Sequence, residues 1–141
     1  MDIRELHTGP EIADAFALMS SLRDRIKQES FLHEVRRQQV EGYRLYGGFE
    51  GGRLLVLAGV RRTHTLSRGE HLFVDDLVTA EDAQGRAYGA TMVRWLAKHA
   101  HDEGLTRIYL DSRATAKGFY ERLGFTFLTA IPCWIDVTKI S

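Results

Sequence analysis

The chain has a single cysteine, Cys133, among its 141 residues. No internal disulfide can form, which sets aside the stapled folds of small secreted proteins and fits a reducing cytoplasm. Net charge is missing as well. Nineteen basic and nineteen acidic residues cancel, so no global field draws the chain to nucleic acid or to an anionic membrane. Long apolar runs are absent. The longest, Leu54 to Val60, is far short of a membrane span, and Met1-Asp2-Ile3-Arg4-Glu5 lacks the apolar core of a signal peptide. A cytoplasmic protein is expected. Repeats and low-complexity linkers are lacking too, so one domain spanning residues 1–141 is expected. His99 and His101 lie two apart on a helix and cannot share a face. With no cysteine or carboxylate cluster of ligand spacing beside them, no metal is expected. Neither the Gly-Lys-Ser/Thr of a nucleotide P-loop nor a Gly-x-Ser-x-Gly elbow occurs.

What is present is periodic. Residues 2–6 read as a short strand. Pro10 stands where helices often begin, and Ile12, Ala15, Phe16, Met19 and Leu22 predict one amphipathic helix over 11–22. A more polar helix follows over about 28–41, with Phe31, Leu32, Val35 and Val40 on its apolar side. Alternation over 42–50, the turn Glu50-Gly51-Gly52-Arg53 and the apolar run 54–60 predict a hairpin. Arg61 to Glu70 is a polar stretch, with Arg36-Arg37 and Arg61-Arg62 read as solvated pairs. His71 to Thr79 reads as a third strand of the meander. After the loop Ala80 to Ala87, the stripe Met92, Val93, Leu96, Ala97 and Ala100 predicts a helix that stops at Gly104. A strand over 106–111, a short helix over 114–123 and one or two strands over 125–140, interrupted near Pro132, complete the chain. The order is β-α-α-β-β-β-α-β-α-β, with a right-handed β-α-β unit across 71–111. Cys133, set among Ile131, Pro132, Trp134 and Ile135, is expected to be buried and inert.

The sharpest local feature is Gln84-Gly85-Arg86-Ala87-Tyr88-Gly89-Ala90, between a strand and a helix. The first turn of a helix leaves backbone N–H groups without partners, and the helix dipole adds positive potential there. A phosphate or diphosphate suits such a turn when small residues let it come close to the backbone. Gly85, Ala87, Gly89 and Ala90 are small, and Arg86 can add a charge-assisted contact.

Two segments carry a family resemblance. Gln84-x-x-Ala87-x-Gly89 resembles the Arg/Gln-x-x-Gly-x-Gly/Ala signature of the GNAT superfamily of N-acetyltransferases. Ala116-Lys117-Gly118-Phe119-Tyr120-Glu121-Arg122-Leu123-Gly124-Phe125 is similar to that superfamily's second signature, with its Phe-Tyr-Glu-x-Leu-Gly-Phe ending. The likeness is sharpest over residues 71–125. It implies the acyl-CoA N-acyltransferase fold, an α/β (α+β) single domain. Its mixed, mostly antiparallel sheet would have six to seven strands flanked by four helices. It implies acetyl-CoA as cosubstrate and an amine as acceptor, either a small molecule or a protein amine. A homodimer fits the class. Leu77, Val78 and Thr79 would lie along the pantetheine, and residues 84–90 would hold the diphosphate. Arg113 and Lys117 would also face the cofactor. Two positions depart from the pattern: Ala87 stands where the family has its first glycine, and Arg113 where many members have an asparagine.

The chemistry the resemblance implies is attack of an amine on a thioester. An alkylamine has a pKa of about 10.4, so about one molecule in 2,500 is neutral at pH 7, and removing the proton costs roughly 4.6 kcal/mol. A base and a proton donor for the leaving thiolate are therefore wanted. The resemblance implies Tyr120 as the donor; periodicity alone would make it a packing residue. For the base there are Asp75 and Asp76, in the otherwise apolar strand His71 to Thr79. Adjacent strand residues face opposite sides unless a bulge re-aims one. Two readings stand: one aspartate handles the amine proton, or both are structural and paired. Asp75 is favoured for the first, on the expectation that it shares a face with Phe73 and Leu77. The alternative function is a non-catalytic acyl-CoA-binding regulatory module.

Overall fold

A computed structural model describes residues 1–140. Two compact units divide the chain, Met1–Leu110 and the remainder from Asp111 onward.

The first unit opens with β1 (Asp2–Glu5) and the helices α1 (Gly9–Asp14), α2 (Phe16–Leu22) and α3 (Gln28–Val40). A capping box starts α1: Thr8 Oγ1 accepts from the Glu11 N–H at 3.2 Å, and Glu11 Oε1 accepts from the Thr8 N–H at 3.0 Å. The single helix expected over 11–22 is two. At the wholly buried Ala15 the N–H reaches back three residues to Ile12, and a second helix begins at Phe16. Phe31 and Val35 of α3 are buried as the periodicity predicts, whereas Val40 is exposed at its end.

Then come β2 (Tyr43–Glu50), β3 (Arg53–Thr65) and β4 (Gly69–Thr79), an antiparallel meander. The polar stretch after Val60 is not a loop. Arg61 to Thr65 pair with Phe73 to Gly69, because backbone ladder bonds are indifferent to side-chain polarity once one face is solvated. The helix α4 (Tyr88–Asp102) crosses over to β5 (Ile108–Leu110), which lies parallel to β4. The sheet order is β1-β2-β3-β4-β5.

Each sheet face has its own core. Val56, Ala58, Val60, Leu72 and Val74 pack with Met92 and Leu96 of α4. Leu45 and Leu57 pack with Ile12, Met19, Phe31 and Val35 of the first three helices. Side chains of this size stabilise by roughly 1.5–3 kcal/mol each when fully buried.

In the second unit α5 (Lys117–Arg122) follows a single 3₁₀ turn at Ala114–Ala116. The strands expected over 125–140 do not form, since no ladder partner is present for them among the described residues. The fold is therefore the expected mixed, mostly antiparallel α/β arrangement with five strands and five helices instead of six to seven and four. Cys133 falls in this irregular stretch and is exposed, not buried. Among the described residues no helix is long and apolar enough to cross a membrane.

Candidate active site

The site is built around an irregularity in β4. In the β3–β4 ladder Val60 pairs with Val74 and Gly59 with Asp76, which leaves Asp75 as an extra, bulged residue. The bulge shifts the side-chain phase by one. Asp75 and Asp76 consequently line the same cavity, on the face covered by α1–α3. The same shift corrects the expected alternation: Leu77 packs with the α4 cluster and Val78 with the opposite one.

Both carboxylates are held at both oxygens. Arg61 grips Asp75 as a fork, Nε to Oδ2 at 2.6 Å and Nη2 to Oδ1 at 2.9 Å. Arg61 is thus a cavity residue, not the solvated surface charge expected of it. Arg23, at the C-terminal end of α2, donates from Nε to Asp76 Oδ1 at 2.9 Å and from Nη2 to the Asp75 carbonyl at 2.7 Å. The hydroxyl of Tyr43 donates to Asp76 Oδ2 at 2.7 Å. Burial, and next the negative charge of Asp76, push the Tyr43 phenol well above its ordinary range. It stays a donor at any physiological pH.

The cavity has a volume of about 610 Å³. Its apolar floor is Met19, Ile26, Phe31 and Val35, and Glu34 and Glu41 stand at its exposed lip. Such a space, apolar with a few convergent polar groups, suits a small ligand.

Beside the bulge the sheet splits. The β4–β5 ladder consists of Leu72 with Ile108, Phe73 with Tyr109 and Val74 with Leu110. From Asp75 to Thr79 β4 pairs with β3 alone. The gap leads to the turn before α4. There Gly85 has φ 82° and Ala87 has φ 64°, the sole positive φ outside glycine among the described residues. Ala87 is the N-cap of α4 and no side chain caps the helix. The first N–H to bond back into it is that of Thr91, to the Ala87 carbonyl at 2.9 Å, so those of Tyr88, Gly89 and Ala90 lack helical partners. The turn is open: a methyl group placed on Gly85 would meet nothing within 4 Å. Gln84 reaches back from Nε2 to the Thr79 carbonyl at 3.4 Å, and Arg86 is exposed. This arrangement can hold an anion.

In the second unit Tyr120 of α5 is buried between Phe119 and Phe125, with ring centroids 5.0 and 5.2 Å away at steep angles. Burial raises its pKa, so the phenol carries its proton at neutral pH. Its hydroxyl is not sealed off without a partner. Arg113 is exposed at the N-cap of the 3₁₀ turn, and Lys117 places Nζ 5.4 Å from the Phe127 ring centroid.

The profile of the acetyltransferase (GNAT) family matches residues 11–125. The chain belongs to the GNAT acetyltransferase family. It is 30% identical over 129 residues to the uncharacterized N-acetyltransferase YhdJ of Bacillus subtilis, an alignment covering 88% of this chain and 91% of that one. Its fold is that of a predicted acetyltransferase from Clostridium acetobutylicum solved with acetyl-CoA (TM-score 0.77, 12% identity, 99% and 97% of the two chains). It is also that of a ribosomal-protein-alanine N-acetyltransferase from Brucella melitensis (TM-score 0.81, 16% identity, 96% and 99%).

GNAT enzymes use acetyl-CoA and an amine acceptor, which sets what the site must accommodate. Of the residues singled out in the sequence, Asp75 and Asp76 share one cavity wall. Leu77, Val78 and Thr79 lie on the unzipped length of β4, and residues 84–90 form the open turn. Sequence reasoning missed Arg23, Tyr43 and Arg61, which are 53, 33 and 14 residues from their aspartates. The one available signal was Gly59, a lone glycine inside an apolar strand, which marks close approach of another group. Among the described residues no three His, Cys, Asp or Glu side chains gather as metal ligands.

Proposed function

We propose that this protein transfers the acetyl group of acetyl-CoA to a small primary amine by direct attack, with both substrates bound together in a single-domain enzyme. The parting of β4 and β5 after Val74 and Leu110 carries the reading. A slot at the C-terminal end of parallel strands, leading to an uncapped helix N-terminus, is where an extended ligand with a diphosphate fits an α/β sheet. The open space over Gly85 supports the fit, as do the unpartnered N–H groups that follow it.

When bound, acetyl-CoA supplies a thioester carbonyl open to attack. In this proposal the backbone of Gln84 to Ala90 and the Arg86 guanidinium hold the diphosphate. Arg113 and Lys117 add positive charge toward the phosphates. The groups of Leu77, Val78 and Thr79 that point away from β3 bond the pantetheine arm. A backbone N–H of Leu77 or Val78 meets the carbonyl oxygen and stabilises the charge that develops there. The amine enters the cavity beside the bulge, whose volume favours a small acceptor over a folded protein. The aspartate pair takes the amine proton, directly or through one water. Arg23, Arg61 and Tyr43 hold those carboxylates in position. Tyr120 gives its proton to the departing thiolate, a role its raised pKa supports.

Two measurements test this in order. Acetyl-CoA at a hundred times its dissociation constant should stabilise the protein by about 2.7 kcal/mol, read as a rise in melting temperature. Thiol release against a panel of amines should then reveal turnover. A melting temperature that is flat across the acetyl-CoA series removes the proposal. Stabilisation without thiol release for any amine leaves a binding module in its place.

A further inference from the structure

The cavity beside the bulge is lined by the first unit alone, and its lining charges do not balance. Four carboxylates face three guanidinium groups. The inner wall is matched. Arg61 pairs with Asp75 and Arg23 with Asp76, and each aspartate oxygen, having accepted one bond, keeps a lone pair for the reacting amine. The excess sits at the lip. Glu34 and Glu41 form no ion pair and accept no hydrogen bond from a side chain among the described residues. Glu41 acts on the Arg61 guanidinium only from beyond ion-pair distance. Arg25, the third cation, forms no ion pair either, but one cation does not offset two carboxylates.

This lip is written into α3. Phe31, Glu34, Val35 and Gln38 follow at i, i+3, i+4 and i+7, so one helix face carries two buried apolar residues and two exposed polar ones. Glu41 is the C-cap of the same helix. The basic residues of α3 stand elsewhere: Arg36 Nη1 donates to Gln39 Oε1 at 3.0 Å, and neither Arg36 nor Arg37 lines the cavity. Met19 and Ile26 complete an apolar floor with Phe31 and Val35. A space of about 610 Å³ accommodates a whole small molecule, well beyond a single amine head.

We propose that the acceptor is a linear aliphatic diamine, with Glu34 and Glu41 as the residues that select it. This rests on the transfer reading above, whose acceptor site it fills. One amine reacts beside Asp75 and Asp76, the methylene stem lies on the apolar floor, and the distal ammonium meets the two glutamates. Such a molecule answers each feature of the lining at once. A monoamine leaves the glutamates without a counter-charge, and an amino acid sets its carboxylate against them.

Acceptor kinetics of the full chain at saturating acetyl-CoA test the proposal. The series holds linear α,ω-diamines, monoamines of matched length, and amino acids in which a carboxylate replaces the distal amine. The best diamine should exceed its matched monoamine by about fivefold or more in kcat/KM, the effect of a partly exposed charge pair. The matched amino acid should be poorer than both. The double variant Glu34→Gln/Glu41→Gln should bring the diamine-to-monoamine ratio close to unity through KM, and added salt should shrink it. Without acetyl-CoA, the same order should appear in the amine concentration that half-saturates a rise in melting temperature. Turnover with no diamine preference, turnover favouring the amino acid, or a preference that the double variant leaves whole overturns the diamine and leaves acetyl transfer standing. The thermal order without thiol release from any amine removes transfer and leaves the diamine site. Neither thermal order nor thiol release removes both.

Discussion

The Tyr43 hydroxyl reaches Asp76 Oδ2 at 2.7 Å only because residue 59, between them, has no side chain. A Cβ built on Gly59 would lie 1.8 Å from the Tyr43 hydroxyl oxygen and 2.7 Å from Asp76 Oδ2. Gly59→Ala should therefore expel Tyr43 and strand Asp76. We expect a loss of about 2–3 kcal/mol, as for an overpacked core position, read from the urea midpoint. A variant as stable as the parent would show that this bond does not hold the bulge in place.

Tyr43 should also make the fold alkali-sensitive. Its pKa is raised in the folded state, while the unfolded chain ionises near the ordinary value of about 10. Below pH 10 both states hold the proton and the stabilisation is complete. Above it the unfolded state binds fewer protons, so stability falls as pH rises, by up to about 1.36 kcal/mol per pH unit for this group. Tyr120 and Tyr46, also raised by burial, add to the same trend. Urea unfolding at pH 9 and pH 11 measures the slope, and Tyr43→Phe should flatten it.

Ala87 holds a left-handed conformation that costs an L-residue roughly 1–2 kcal/mol. Glycine adopts it freely but loses more entropy on folding. The net expectation for Ala87→Gly is a gain of about 1 kcal/mol, seen as a melting temperature roughly 3 °C higher. Acetyl-CoA should still stabilise the variant. A lower melting temperature would mean that the turn relaxes out of this geometry in solution.

Arg61→Lys keeps the charge and removes the fork on Asp75. The pair is partly exposed, so its loss should cost no more than about 1 kcal/mol of stability. If the aspartates handle the amine proton, kcat/KM should fall at least about tenfold, a misplacement effect, with the pH profile altered. Unchanged kinetics would return Asp75 to a structural role.

Tyr120→Phe keeps the packing against Phe119 and Phe125 and deletes the proton donor. We expect kcat to drop about 10²-fold or more, with the acetyl-CoA-induced rise in melting temperature intact. Full turnover would assign Tyr120 to packing alone.

The elements that the sequence foretold are those whose cause is local. The α4 stripe of Met92, Val93, Leu96 and Ala100 repeats at helical spacing and is buried, while Ala97, expected with it, is exposed. The hairpin at Gly51 and Gly52 needs positive φ at both glycines and has it. The turn at 84–90 was visible because small residues stand directly before a helical pattern. Boundaries set by partners were not visible. The extension of β3 through Thr65 follows from pairing with β4, and the break at Ala15 falls where that residue is buried in a cluster with Ile12, Met19 and Phe31.

By itself, then, the chain determined β1, the order of elements from β2 through α5, the open helix start and its membership of the GNAT family, since period, turn chemistry and short motifs act over a few residues. Only the tertiary structure decided that Asp75 and Asp76 face one way and that Arg23, Arg61 and Tyr43 hold them. Those outcomes depend on strand register. A one-residue shift between β3 and β4 changes every side-chain direction beyond it, and register is fixed by all the contacts of the sheet together.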